Sequence, residues 1–157
     1  MELLDETDLK LLKILHENSS YTTKELAQMV NLSPSPVFER VKKLEKNGYI
    51  KKYIAILDAE KLNQGFAVFT NIKLKQHDRS IGHKFVEDIM NIEEVIECYN
   101  ISGDYDFLLK VIVRDMKHYQ DFVFNKLGSV KSIGSTHSMF VMSEIKNSYG
   151  AGVPLNQ

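Results

Sequence analysis

The stretch Leu32-Ser33-Pro34-Ser35-Pro36-Val37-Phe38-Glu39-Arg40-Val41-Lys42-Lys43-Leu44-Glu45 decides how the first third of the chain is read. Ser33 stands at a helix N-cap position. Pro34 follows at the first helical position, where a missing N–H costs nothing. Val37, Val41 and Leu44 recur at helical spacing and make an inner stripe. Ser35, Glu39, Lys42, Lys43 and Lys46 fall on the opposite side, with Phe38 and Arg40 flanking, and Gly48 ends the helix.

Working outward, a shorter helix precedes this one. Thr22 and Glu25 have capping-box spacing, and Leu26, Ala27 and Val30 give its buried stripe. Asn31 lies between the two helices, and asparagine tolerates left-handed backbone better than most residues. Further upstream, Asp5 to Asn18 reads as a helix with an acidic start and Leu4, Leu11, Leu12 and Leu15 at helical spacing. Two helices joined by a tight turn, the second basic on its outer side, form the layout of a helix-turn-helix whose second helix enters the DNA major groove. The charge supports this. Lys24, Arg40, Lys42, Lys43, Lys46, Lys51 and Lys52 outnumber Glu25, Glu39 and Glu45, a local cationic patch on a chain whose formal net charge is -1. Early outward positions of such a helix reach base edges, so Ser35, Pro36 and Glu39 are candidates for base contact. Lys42, Lys43, Lys51 and Lys52 are candidates for phosphate. Arg40 either reads guanine or pairs with a carboxylate inside the domain. The competing reading is a solvated basic face on a structural three-helix unit.

The chain has 157 residues, of which 43% are hydrophobic and 26% charged, an ordinary globular composition with room for two small domains. Its single cysteine, Cys98, excludes an internal disulfide and fits a cytoplasmic setting. No stretch approaches the roughly 20 apolar residues that span a bilayer, and no secretory signal pattern is seen at the start. Tyr49 to Leu57 (YIKKYIAIL) is β-prone and predicts a short wing or hinge strand. Residues 58–65 read as a linker between a DNA-binding domain at 1–57 and a second domain at 66–147. A loose tail, 148–157, follows.

The second domain alternates strand and helix. Strands are predicted at Phe66–Lys75, Val95–Ser102, Tyr105–Val113 and Thr136–Lys146, and helices at Arg79–Met90 and Asp115–Leu127. The order βαββαβ is the ferredoxin-like split arrangement, making the whole an α+β chain with an N-terminal, winged-helix-like helix-turn-helix. Two helices cover one face of such a sheet. The other face carries apolar residues and is expected to pack on a second copy.

Catalysis and metal binding find little support. His16, His77, His83, His118 and His137 are scattered and make no metal-spaced pair with a cysteine. Asp104 and Asp106 share a strand face without a nucleophile nearby.

Taken together, LSPSPVFERVKKLEKNGYIKKYIAIL, SGDYDFLLKV at Ser102–Val111 and FVMSEIK at Phe140–Lys146 resemble the Lrp/AsnC family of transcription regulators, over nearly the whole chain and in the family's order. The resemblance implies a sequence-specific DNA-binding regulator with a C-terminal domain that dimerises and assembles further, often to octamers. It implies a small effector, commonly an amino acid, bound between dimers, and no cofactor. The family's turn matches Gly103, Asp104, Tyr105 and Asp106 beside Ser102, and its effector-facing hydroxyls fall near Thr136 and Ser138. The chemistry is reasonable on its own terms. An aspartate at 104 or 106 pairs with an ammonium, and the backbone N–H groups around Gly103 approach a carboxylate closely. The plainer reading is a tight turn using Asp and Gly for geometry alone. Two other functions fit the same pattern: an architectural DNA-organising protein without effector, and a small αβ-barrel enzyme with an attached DNA module.

Overall fold

The computed structural model describes residues 4–76, 78–150 and 152–153. Their contacts divide into two units, one made of residues up to 56 together with those from 146 onward, the other of residues 57–145.

The first unit holds α1 (Glu6–Glu17), α2 (Thr23–Met29) and α3 (Pro34–Lys46). Reciprocal capping boxes start the first two, Asp5 with Asp8 and Thr22 with Glu25. Ser33 occupies the N-cap of α3 with extended backbone, but its hydroxyl makes no capping bond; Pro34 at the first position sets the start instead. Leu11, Leu15, Leu26, Ala27, Val37 and Leu44 close the core. Asn31 takes φ 55 at the turn between α2 and α3, the left-handed geometry its side chain tolerates.

The second unit runs β1 (Phe66–Leu74), α4 (Arg79–Ile89), β2 (Val95–Asn100), β3 (Phe107–Val113), α5 (Met116–Asp121) and β4 (Ile133–Phe140). The sheet is antiparallel in the order β2-β3-β1-β4, the ferredoxin-like arrangement. Val68, Thr70, Ile72, Phe107, Leu109, Val111 and Val113 alternate along the two central strands toward one face, where Phe85, Ile89, Tyr119, Phe122 and Leu127 pack on them. Thr70 is buried among these apolar groups, and its hydroxyl meets the Tyr119 hydroxyl at 3.0 Å, which in turn meets Ser138 Oγ at 2.6 Å. A buried hydroxyl is tolerated because it is hydrogen-bonded.

Four expectations need correction. Tyr49–Leu57 forms no strand, because a strand needs a ladder partner and this segment pairs with none of the described strands. The last strand is Ile133–Phe140 rather than Thr136–Lys146: its partner β1 begins at Phe66, so pairing stops near Phe140, with a last bond from Val141 N to Ala67 O. The helix expected over Asp115–Leu127 keeps α-geometry only to Asp121, then passes through a π-turn (Phe122–Lys126) and a 3-10 turn (Leu127–Ser129). An α-helix would turn Phe122 and Leu127 apart, whereas the five-residue repeat of the π-turn lets both enter the core. Finally, the tail expected to be loose is held in part. Tyr149 and Gly150 take positive φ, 44 and 112, and His16 Nε2 donates to Tyr149 O at 3.1 Å. The remainder of that expectation (Ala151 and 154–157), like His77, lies outside the described residues.

Glu94 bolts the head of β2 to the helical layer. It is 9% exposed, and its Oε1 accepts from Lys126 Nζ at 2.6 Å and His118 Nε2 at 3.1 Å. Burial alone would raise its pKa, but the Lys126 bond, its backbone and His118 outweigh that and hold it below the 4.5 of a free glutamate. A depressed carboxylate stabilises the fold above its unfolded pKa and loses that contribution as pH falls through the folded value. Lys126→Met should lower stability at pH 7 by about 1–2 kcal/mol, less than for a fully buried pair because Lys126 is 42% exposed. Thermal melts from pH 7 down to pH ~3 should show a shallower acid loss in the variant than in the parent chain; equal slopes would contradict the assignment.

Candidate functional site

Two places gather the chemistry, one in each unit. On α3, Val37 and Leu44 are buried against α1 and α2, which turns the opposite side outward. Ser35, Pro36, Glu39, Lys42, Lys43 and Lys46 are all exposed there. Lys51 and Lys52, just beyond Gly48, are exposed as well, on a segment without regular structure. The sequence-derived candidates on α3 are therefore exposed away from its buried stripe, with one exception.

That exception is Arg40. Its Nη1 lies 2.7 Å from Asp5 Oδ2 and 2.7 Å from Asp8 Oδ1, the two residues that also cap α1. The hydrogen bonds it donates to Asp8 and then Asp5 raise its already high pKa. Of the two roles open to Arg40, the structure shows the internal one: it ties α3 to the start of α1. Lys42 is also engaged. Its Nζ donates to Glu45 at 2.8 Å and sits 5.7 Å from the centroid of the Phe38 ring. Glu45 in turn accepts from Tyr53 OH at 3.0 Å; burial and this carboxylate push the Tyr53 phenol up to about 12.

In the second unit, Ser102–Tyr105 form the tip between β2 and β3, closed by a bond from Ile101 N to Asp106 O at 3.0 Å. Gly103 sits at φ 115, where an L-side chain would be strained. Ser102, Gly103 and Asp104 are exposed and Tyr105 is half-buried. Two other candidates are turned inward. Asp106 Oδ2 accepts from Leu74 N at 2.7 Å and so fastens the tip to β1. Ser138 faces the helix-covered side, bonded to Tyr119. Thr136, two residues back on the same strand, is exposed. Between them His137 points to the other face and stacks on Tyr105, with ring centroids 6.2 Å apart and planes 28° apart. Sequence reasoning missed this pairing; the signal was the one-residue offset of His137 from the expected hydroxyls, which strand alternation carries to the opposite face. Among the described residues no cluster of His, Cys, Asp or Glu could hold a metal, and no helix is long and apolar enough to cross a membrane.

Comparison with known proteins finds a match for each part of the chain. A family profile described as Lrp/AsnC ligand binding domain matches residues 67–151, and one for winged helix-turn-helix DNA-binding matches residues 4–51. The chain is 34% identical over 145 residues to the Bkd operon transcriptional regulator of Pseudomonas aeruginosa, covering 92% of this chain and 95% of that one. It is 37% identical over 143 residues to the leucine-responsive regulatory protein of Haemophilus influenzae, covering 91% and 86%. Among solved structures, a transcriptional regulator of Neisseria meningitidis in complex with L-Met superposes with a TM-score of 0.91 at 34% identity, covering 98% of both chains. An AsnC family regulator from Agrobacterium tumefaciens gives 0.88 at 36%, covering 97% of both.

Arg40→Ala should remove a structural tie and no phosphate contact. Stability should fall by about 1–2 kcal/mol, above a lone surface pair because one guanidinium serves two carboxylates. DNA affinity should fall on all duplexes while the slope of log affinity against log salt stays unchanged. A slope reduced by about one would return Arg40 to the phosphate-binding set.

Proposed function

The chain belongs to the Lrp/AsnC family of transcription regulators, and on that premise we propose that it binds operator DNA through the outer side of α3 as a homodimer whose occupancy an amino acid controls. The observation that carries this is the exposure of Ser35, Pro36, Glu39, Lys43 and Lys46 on one side of a helix anchored on the other by Val37, Leu44 and Arg40. Ser35, Pro36 and Glu39 meet base edges. Lys43, Lys51 and Lys52 meet phosphates, and Lys42 joins them from its place on the Phe38 ring. The working boundaries are those of the sequence, a DNA-binding part to about residue 57 and an effector and assembly part from 66.

The uncovered sheet face supports pairing with a second copy. Ala67, Phe69, Leu108 and Ile112 are half-buried there and Met139 is 42% exposed, an apolar surface that a partner would cover. Dimers then associate further, as octamers or another assembly of dimers. A dimer presents two α3 helices to half-sites about one helical turn, or a multiple, apart. The effector is an amino acid held at the tip: Asp104 takes its ammonium, the N–H groups around Gly103 its carboxylate, with Ser102, Tyr105 and Thr136 alongside. The L-Met bound by the Neisseria relative supports this ligand class. An effector that prefers one assembly state shifts promoter occupancy, through a coupling of about 1–3 kcal/mol. We assign no catalytic role, and a DNA target supports a cytoplasmic setting.

Two variants test the two halves of this reading. Lys43→Ala should weaken binding about equally on all duplexes and reduce the salt slope by about one; a change confined to one base preference would contradict the phosphate assignment. Asp104→Ala should leave effector-free DNA affinity near that of the parent and abolish the thermal stabilisation by L-methionine, which for the parent reaches about 2.7 kcal/mol at a hundred times its dissociation constant. Loss of effector-free binding would instead make the tip a purely structural turn.

A further inference from the structure

Phe38 is the one large apolar side chain of α3 that is neither in the core nor covered: its ring is 47% exposed. It lies three residues after Ser35 and four before Lys42, so the three share one row of the helix surface. It also falls in the first half of α3, the part of a recognition helix that lies against base edges. Its surroundings fix it. The Lys42 ammonium sits over the ring at 5.7 Å, and Lys42 is itself held by Glu45, which is held by Tyr53. This chain of contacts orders the ring without burying it.

An exposed, pre-ordered aromatic edge suits one feature of the major groove. Adenine, guanine and cytosine present hydrogen-bonding atoms there, whereas thymine also presents an apolar C5-methyl. A phenylalanine has nothing to offer the first three and gains by covering the last. We propose that Phe38 is a specificity-determining residue that reads a thymine methyl in each half-site by apolar contact. The inference rests on the DNA-binding reading above and adds to it a base identity that the polar candidates Ser35 and Glu39 would not select. Lys42, held against the ring, is carried toward the neighbouring phosphate by the same docking.

The competing role is internal. Phe38 also borders a shallow groove of about 220 Å³ with Leu15, Tyr21, Val41 and Tyr53, where its ring could serve the fold or a protein partner. A thymine-to-deoxyuridine exchange separates the two, since it deletes the methyl and nothing else. Duplexes are first selected from a random pool by the full-length protein, and each thymine of the selected site is then replaced in turn. The parent chain should lose about fourfold in affinity at one thymine per half-site, the worth of one buried methyl. Phe38→Ala should bind the intact site more weakly and show no further loss at that position, while Phe38→Leu, which keeps an apolar contact, should retain most of the discrimination. Uniform weakening of Phe38→Ala with the deoxyuridine loss intact would overturn the proposal and assign the ring to the groove. Selected sites in which no thymine exchange matters would overturn it too. Failure of the parent chain to select any duplex would instead sink the DNA-binding reading, and this inference with it.

Discussion

One guanidinium fixes what the first unit can present. Arg40 reaches from α3 to Asp5 and Asp8, which already cap α1, so a single group sets the start of α1 and its distance from α3. The apolar stripe of Val37 and Leu44 holds the same helix from the adjacent side. A core of six buried residues is small, and the charged tie adds a contact at its edge. With two sides of α3 engaged, the side carrying Ser35, Glu39 and Lys46 is the one turned outward. Its cationic character follows from composition, since Glu25 is bonded to Thr22 and Glu45 to Lys42 and Tyr53, which leaves Glu39 as the acid among its lysines.

The second unit obeys a different constraint. A four-stranded sheet has two faces and this chain supplies helices for one. The covered face closes on Phe85, Phe122 and Leu127, with the Thr70–Tyr119–Ser138 hydroxyl chain satisfying the polar groups within it. The uncovered face keeps Phe69, Leu108, Ile112 and Met139. The tip at Gly103 grows from β2 and β3 and is fastened to β1 by Asp106, so a ligand held there would act directly on the sheet that the second copy is proposed to cover.

What the sequence made legible was what local chemistry decides. The capping pair Thr22–Glu25, the left-handed Asn31 and the stripes of α1 to α3 involve neighbours within one or two turns, and all appear as read. What it concealed depended on distant partners. Tyr49–Leu57 has strand-forming residues but no paired strand. The last strand slipped toward its N-terminus because β1 sets the length of the ladder. The π-turn arose from the need to bury Phe122 and Leu127 together, which no helical periodicity announces. At the candidate sites, Arg40 found carboxylates more than thirty residues away, and Asp106 and Ser138 were turned to structural bonds by neighbours across the sheet and helical layer. Lys42 and Phe38 proved to be coupled through a contact one helical turn apart, a spacing visible in the sequence once the basic row is read together with its flank.

The central claim is that α3 offers its outer side to a duplex. A chelated iron tethered to that side reports it directly. In a Cys98→Ser background, Lys46→Cys carries the chelate, and the full-length protein is bound to its selected duplex. The account predicts strand cleavage centred within each half-site, and none when the chelate is carried instead at Lys13→Cys on α1. Cleavage from the α1 position with silence from α3 would contradict it.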